Sequence, residues 1–177
     1  MRIFGLWFAV FFVRSLIGLN CVGQEPLLPN RKVQWYEMEG VRFWGLSVLD
    51  VSFGRSIGVG SFPFNFYYDW DFGYVYKNHK DRIGFKAFLE LEIPASIALD
   101  LEVGADDGVR LYIDGELVID AWALGSYRKF RTLYPLTAGK HRLELHYFEW
   151  EGVAKVKFAA DTGALLVLST LTAKPNL

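Results

Sequence analysis

From Phe85 to Ile93 the chain alternates: Phe85, Ala87, Leu89, Leu91 and Ile93 are apolar, and Lys86, Glu90 and Glu92 on the other parity are charged. After Pro94-Ala95-Ser96 the alternation resumes, with Ile97, Leu99, Leu101 and Val103 on one side and Asp100 and Glu102 on the other. A period of two sends successive side chains to opposite faces, so both runs predict half-buried antiparallel strands joined by a turn. Leu143, Leu145 and Tyr147 alternate in the same way with Arg142, Glu144 and His146, and Ala154, Val156 and Phe158 with Lys155 and Lys157. No stretch after residue 23 carries the spacing of an amphipathic helix. Many short strands separated by turn residues predict an all-β fold, an antiparallel sandwich or barrel.

The sharpest turn signal is Asp114-Gly115 between Val109–Ile113 and Glu116–Ile119. An Asp-Gly pair suits a two-residue hairpin turn, whose central residues both need positive φ. That turn predicts pairing of Ile113 with Glu116, Leu111 with Val118 and Val109 with Asp120. Asp120 would then return beside Asp106-Asp107-Gly108, leaving Asp114 at the far tip as a turn residue. Gly54 to Gly60 resembles a phosphate loop, but lacks the Gly-Lys-Ser/Thr ending and a following helix, and is expected to be a mobile loop. Ala164 to Leu171 is apolar but too short to span a membrane, and is expected to be a last buried strand.

The first residues change the picture of where the domain works. Met1-Arg2 precedes apolar residues from Ile3 to Val13, the pattern of a secretory signal. Taken as one span from Ile3 to Gly23, the segment would hold Arg14 near the bilayer centre at a cost of about 2.5–3.5 kcal/mol. Residues 1–23 are therefore expected to be a signal peptide, cleaved after Gly23, or an N-terminal anchor, with lipidation of Cys21 as a third route. Residues 24–32, with Pro26 and Pro29, form an expected linker, followed by a β domain over 33–160 and a C-terminal strand or tail over 161–177. The expected location is secreted or cell-surface, with membrane contact only through a retained or lipidated N-terminal segment.

Cys21 is the one cysteine, which rules out an internal disulfide framework and any Cys-rich metal site. A formal net charge of -1 gives no concentrated basic face for nucleic acid. Aromatic residues make up 17% of the chain, and they crowd from Phe62 to Tyr76. Most of these are expected in the core, with Asp69-Trp70-Asp71 the best-placed exposed platform. Trp122 and Trp150 are further candidates for stacking on a sugar, Trp150 because it lies in a turn. His141 and His146 have opposite parity, so they do not form a two-histidine zinc site. No Gly-x-Ser-x-Gly elbow, Cys–His pair or His-Glu-x-x-His motif is present, and the chain is expected to be a binding module rather than an enzyme.

Asp106-Asp107-Gly108-Val109-Arg110-Leu111-Tyr112-Ile113-Asp114-Gly115, with Leu117-Val118-Ile119-Asp120 and Trp122, closely resembles the centre of the PA14 domain. Leu136-Thr137-Ala138-Gly139-Lys140-His141 resembles that family's aGxH turn, and Tyr147-Phe148-Glu149 with Gly152 and Ala154 its YxE…GxA hairpin. The resemblance covers roughly residues 83–159. It implies a PA14-type β-sandwich or barrel, in a family widely regarded as carbohydrate-binding or adhesive. In the yeast adhesin branch, adjacent aspartates joined by a cis peptide bind calcium, which in turn coordinates sugar hydroxyls; Asp106 and Asp107 match that pair. Calcium takes six to eight oxygens, so Glu149 and Asp120 are candidate additional ligands. The alternative role for Asp106 and Asp107 is to cap a tight turn with backbone N–H groups. The expected function is a lectin-like module for a glycan or cell-surface polysaccharide, with calcium as a possible cofactor. The alternative is a structural or protein–protein interaction domain.

Overall fold

The alternating runs become ten strands in two antiparallel sheets. The computed structural model describes residues 28–43 and 47–161. The strands are β1 (Arg31–Phe43), β2 (Ser47–Phe62), β3 (Phe66–Asp71), β4 (Ile83–Ile93), β5 (Ile97–Asp106), β6 (Gly108–Ile113), β7 (Glu116–Ala121), β8 (Arg128–Leu136), β9 (Gly139–Glu149) and β10 (Ala154–Ala160). One sheet has the order β2-β1-β4-β9-β6-β7 and the other β3-β10-β5-β8. Among the described residues there is no helix. The expected signal or anchor segment and the expected strand at 164–171 lie outside the described residues, and β1 begins at Arg31, inside the expected linker.

The core lies between the sheets and is built from the parity the sequence shows. Phe85, Ala87, Leu89, Leu91 and Ile93 of β4 are buried, as are Leu143, Leu145 and Tyr147 of β9 and Leu99, Leu101 and Val103 of β5. Each large apolar side chain taken out of water contributes about 1.5–3 kcal/mol before entropy is set against it. Aromatic rings fill one end: Phe85 meets Trp35, Phe62 and Tyr147, each with ring centroids 5.1 Å away. Arg31 is also fully buried; its Nε donates to the Phe64 carbonyl and its guanidinium lies 3.6 Å from the Phe158 ring centre, while burial lowers its pKa to about 9.

Two expectations about local structure are corrected. Gly54 to Gly60 is not a loop but part of the edge strand β2. A Cβ at Gly54 would run into the Glu39 side chain and one at Gly58 into the Tyr76 ring, so these glycines allow a close approach. The β6–β7 hairpin does turn at Asp114 and Gly115, both with positive φ (52° and 86°). Its register, however, shifts by one at a bulge between Leu111 and Tyr112, so that Leu111 faces Ile119, Arg110 faces Asp120 and Val109 faces Ala121.

At that tip, Asp114 does more than turn the chain. One carboxylate oxygen accepts the Arg142 N–H at 2.7 Å and the other lies 2.6 Å from His141 Nδ1. His141 Nε2 lies 2.9 Å from the Thr137 carbonyl oxygen. A carbonyl and an ionised carboxylate only accept, so both ring nitrogens must donate, and the ring is an imidazolium when both bonds are made. The Asp114 carboxylate is the main cause raising the His141 pKa. A raised histidine pKa adds stability that is complete below the unfolded value and disappears as pH rises through the folded one. His141→Gln is therefore expected to cost about 1 kcal/mol at pH 5.5, the pair being partly exposed, and progressively less at pH 8 and above. Melting curves of the two proteins across that range check it; a gap that does not narrow refutes the pairing.

Candidate functional site

The opposite end of the sandwich collects carboxylates. β5 delivers Asp106 as its last residue, β6 starts at Gly108, and β9 ends at Glu149, where it pairs with the first residue of β4, Ile83. Glu149 shares the inward parity of Leu145 and Tyr147, so its side chain points into the interior and is fully buried. The peptide between Asp106 and Asp107 is cis. Ligand atoms of Asp106, Asp107 and Glu149 lie within 4.8 Å of one another. The structure thus brings together three of the four candidate metal ligands.

The surroundings hold Asp106 and Asp107 by hydrogen bonds and the nearby Arg128 charge but leave Glu149 unpartnered. Asp107 accepts the Gly125 N–H at 2.8 Å with one oxygen and the Trp150 N–H at 2.9 Å with the other. Its carbonyl accepts Arg128 Nη2 at 3.3 Å, and Arg128 also ties down the Ala123 carbonyl at 2.9 Å. The Tyr147 hydroxyl donates to the Asp106 carbonyl at 2.8 Å. Both Glu149 oxygens are buried with no hydrogen-bond partner. Burial, and then the charges of Asp107, Asp106 and Asp81, push Glu149 up to about 9. Burial also raises Asp106, helped by Asp107, and raises Asp107 against the opposing Gly125 and Trp150 N–H groups.

Packing three carboxylates into one corner disfavours ionising all of them at once, and a cation among them would remove that penalty. The donor set fits a hard cation: all the candidate atoms are carboxylate oxygens, and the cluster contains no histidine or cysteine. Asp106 is only partly buried, which leaves one side of the cluster open to solvent.

The remaining expected site residues lie elsewhere or face away. Asp120 is engaged by Arg110, with Nε to Oδ1 at 2.8 Å, and is not in the cluster. The bulge explains this: opposite Val109 it would face inward, but opposite Arg110 it faces outward. Trp150, expected at the surface, is 4% exposed and packs with Met38 and Phe148; it serves the site through its backbone N–H. Trp122 is half-buried, with Phe148 4.6 Å and Phe53 5.4 Å from its ring, and its indole N–H donates to the Val51 carbonyl at 2.8 Å. In Asp69-Trp70-Asp71, Trp70 turns inward against Tyr68 and Tyr147, so the expected platform is not formed by tryptophan. Gly125 and Arg128 escaped sequence reading, since nothing in their local pattern marks a residue that reaches an aspartate 18 or 21 positions away.

A family model described as PA14 domain matches residues 77–169. The chain belongs to the PA14 domain family. Its fold is that of an anti-sigma factor domain-containing protein, with a TM-score of 0.59 at 24% identity over 77% of this chain and 44% of that one. An anti-sigma factor domain-containing protein from Clostridium clariflavum aligns with a TM-score of 0.49 at 18% identity, over 76% of this chain and 42% of that one. The PA14 domain of the MpAFP antifreeze protein aligns with a TM-score of 0.48 at 14% identity, over 76% and 83% of the two chains. The PA14 chain thus spans less than half the length of the first two. Among curated proteins, none matches the sequence.

Proposed function

We propose that this PA14 domain is a lectin-like binding module, exported to the cell surface or beyond, that holds calcium with Asp106, Asp107 and Glu149 and presents it to a glycan. One observation carries the reading: a fully buried Glu149 carboxylate, without a hydrogen-bond partner, points at two aspartates. A buried charge without a partner is costly, and a divalent cation removes that cost where a proton would otherwise have to. Bound calcium would supply open coordination positions for hydroxyl oxygens. The chain's own residues fix the geometry. Gly125 and Trp150 N–H groups orient Asp107, the Tyr147 hydroxyl holds the Asp106 carbonyl, and Arg128 anchors the loop that carries Gly125.

Calorimetric titration with CaCl2 is expected to give one binding event in the parent and none in Asp107→Asn. Equal heats in the two proteins would refute the metal site. A glycan array probed in calcium is expected to give signals that EDTA removes. An array silent in excess calcium would favour the alternative, an interaction domain that packs against protein without sugar.

A further inference from the structure

The outward face of the four-stranded sheet begins where the carboxylate cluster ends. Lys155 of β10 stands directly opposite Asp106 on one side and opposite Asp69 of β3 on the other. These three residues form one row across adjacent strands, spaced about 4.8 Å apart along it. Lys155 Nζ lies 3.1 Å from Asp69 Oδ2, and the Tyr67 hydroxyl donates to the same oxygen at 3.1 Å. The Tyr67 ring is 54% exposed, and its centre lies 6.5 Å from that of Tyr127, whose backbone N–H bonds Asp106. Beneath Tyr127 the sheet has only Gly104, where a Cβ would strike the Tyr127 hydroxyl. The result is a shallow shelf that continues from the open side of Asp106 onto an aromatic face.

Other aromatic rings at this end are less suited to a sugar. The Trp70, Trp122 and Trp150 rings are engaged as described above, and Tyr74 has the Lys80 ammonium 5.0 Å from its ring centre. On Tyr67, by contrast, an exposed ring is combined with a fixed acceptor and a fixed donor. Their mutual bonds hold them in place before a ligand arrives, which reduces the ordering cost of binding. Asp69 and Lys155 balance one another, so the shelf favours an uncharged ligand.

We propose that Tyr67, Asp69 and Lys155 form a second saccharide subsite, which takes the next ring of a neutral oligosaccharide whose first ring sits at Asp106. The apolar face of that ring stacks on Tyr67, and two neighbouring hydroxyls bond to Asp69 and Lys155. The inference rests on the glycan reading of the cation site, and it adds a length requirement that the reading alone does not have.

The test uses the intact protein in calcium, titrated with glucose, galactose and mannose and with di- and trisaccharides of each. The parent is expected to bind a disaccharide of its preferred sugar about tenfold more tightly than the monosaccharide. Tyr67→Ala should lose that gain while keeping parental monosaccharide and calcium affinity, and Tyr67→Phe, which keeps the ring, should retain most of it. A length gain that survives Tyr67→Ala, or a parent with no length gain, overturns the subsite alone. A parent that binds calcium but none of these sugars overturns the glycan reading and the subsite with it.

Discussion

Glu149→Gln is expected to make the domain insensitive to calcium and, without calcium, more stable than the parent at neutral pH. The sign follows from the carboxyl pKa, pushed up to about 9 from an ordinary value of 4.5. Below about pH 4.5 folded and unfolded chains both keep the proton, and there is no penalty. Between there and pH 9 the folded state retains a proton that the unfolded chain has shed, so parental stability falls as pH rises. Gln carries no such slope, and at pH 7 the gap is expected to be on the order of 1–3 kcal/mol. With free calcium at a hundred times its Kd the parent should gain about 2.7 kcal/mol and the variant nothing. Calcium binding at the proposed site would also displace the Glu149 proton, so its affinity in the parent is expected to rise with pH, and titrations in buffers of different ionisation enthalpy should detect release of about one proton. Urea unfolding at pH 5, 7 and 9, with calcium and with EDTA, tests all of this. A flat parental slope, or a variant still stabilised by calcium, would contradict it.

Phe85→Ala is expected to cost about 3–5 kcal/mol, a large fraction of the roughly 5–15 kcal/mol that holds a domain of this kind together. Phe85 is fully buried among Trp35, Phe62 and Tyr147, and close-packed surroundings relax only partly into the space a removed ring leaves. The effect should reach the proposed cation site, because Tyr147 packs on Phe85 with its ring and holds the Asp106 carbonyl with its hydroxyl. Calcium affinity should therefore fall together with the urea midpoint. Phe72→Ala, which removes a ring that is 66% exposed, should stay within about 0.5 kcal/mol of the parent. Equal midpoints for the two variants would show that the aromatic core is not where the stability resides.

What could be read before the structure follows burial asymmetry. β4, β9, β10 and the first half of β5 bury one face more deeply than the other, so their alternation survives in the sequence as a period of two. β2 has no such signature, because its glycines make way for the side chains of Glu39 and Tyr76, which approach from distant positions. In the site, Asp106 and Asp107 were legible as a pair through family resemblance, and Glu149 as a further carboxylate in the resembling Tyr147-Phe148-Glu149 stretch. Asp120 was misplaced by a single bulged residue, which reverses the face of everything beyond it on that strand. Trp150 looked like a turn residue because it follows the last strand residue, yet its ring folds back under β9 against Phe148.

The bond from the Trp122 indole to the Val51 carbonyl joins a residue just past β7 to β2, the first and last members of the six-stranded sheet. That sheet is fastened into a cuff, and its outermost rims are partly spoken for by the molecule itself. Among the described residues, the smaller sheet ends at β3 and β8. There β3 is only six residues long and bears Asp69 and Asp71, while β8 bears Lys129, Arg131 and Pro135. Charge, brevity and a proline without an N–H all discourage a foreign strand from adding to such a margin. For a chain so rich in β-structure, these features of the described edges oppose edge-to-edge association.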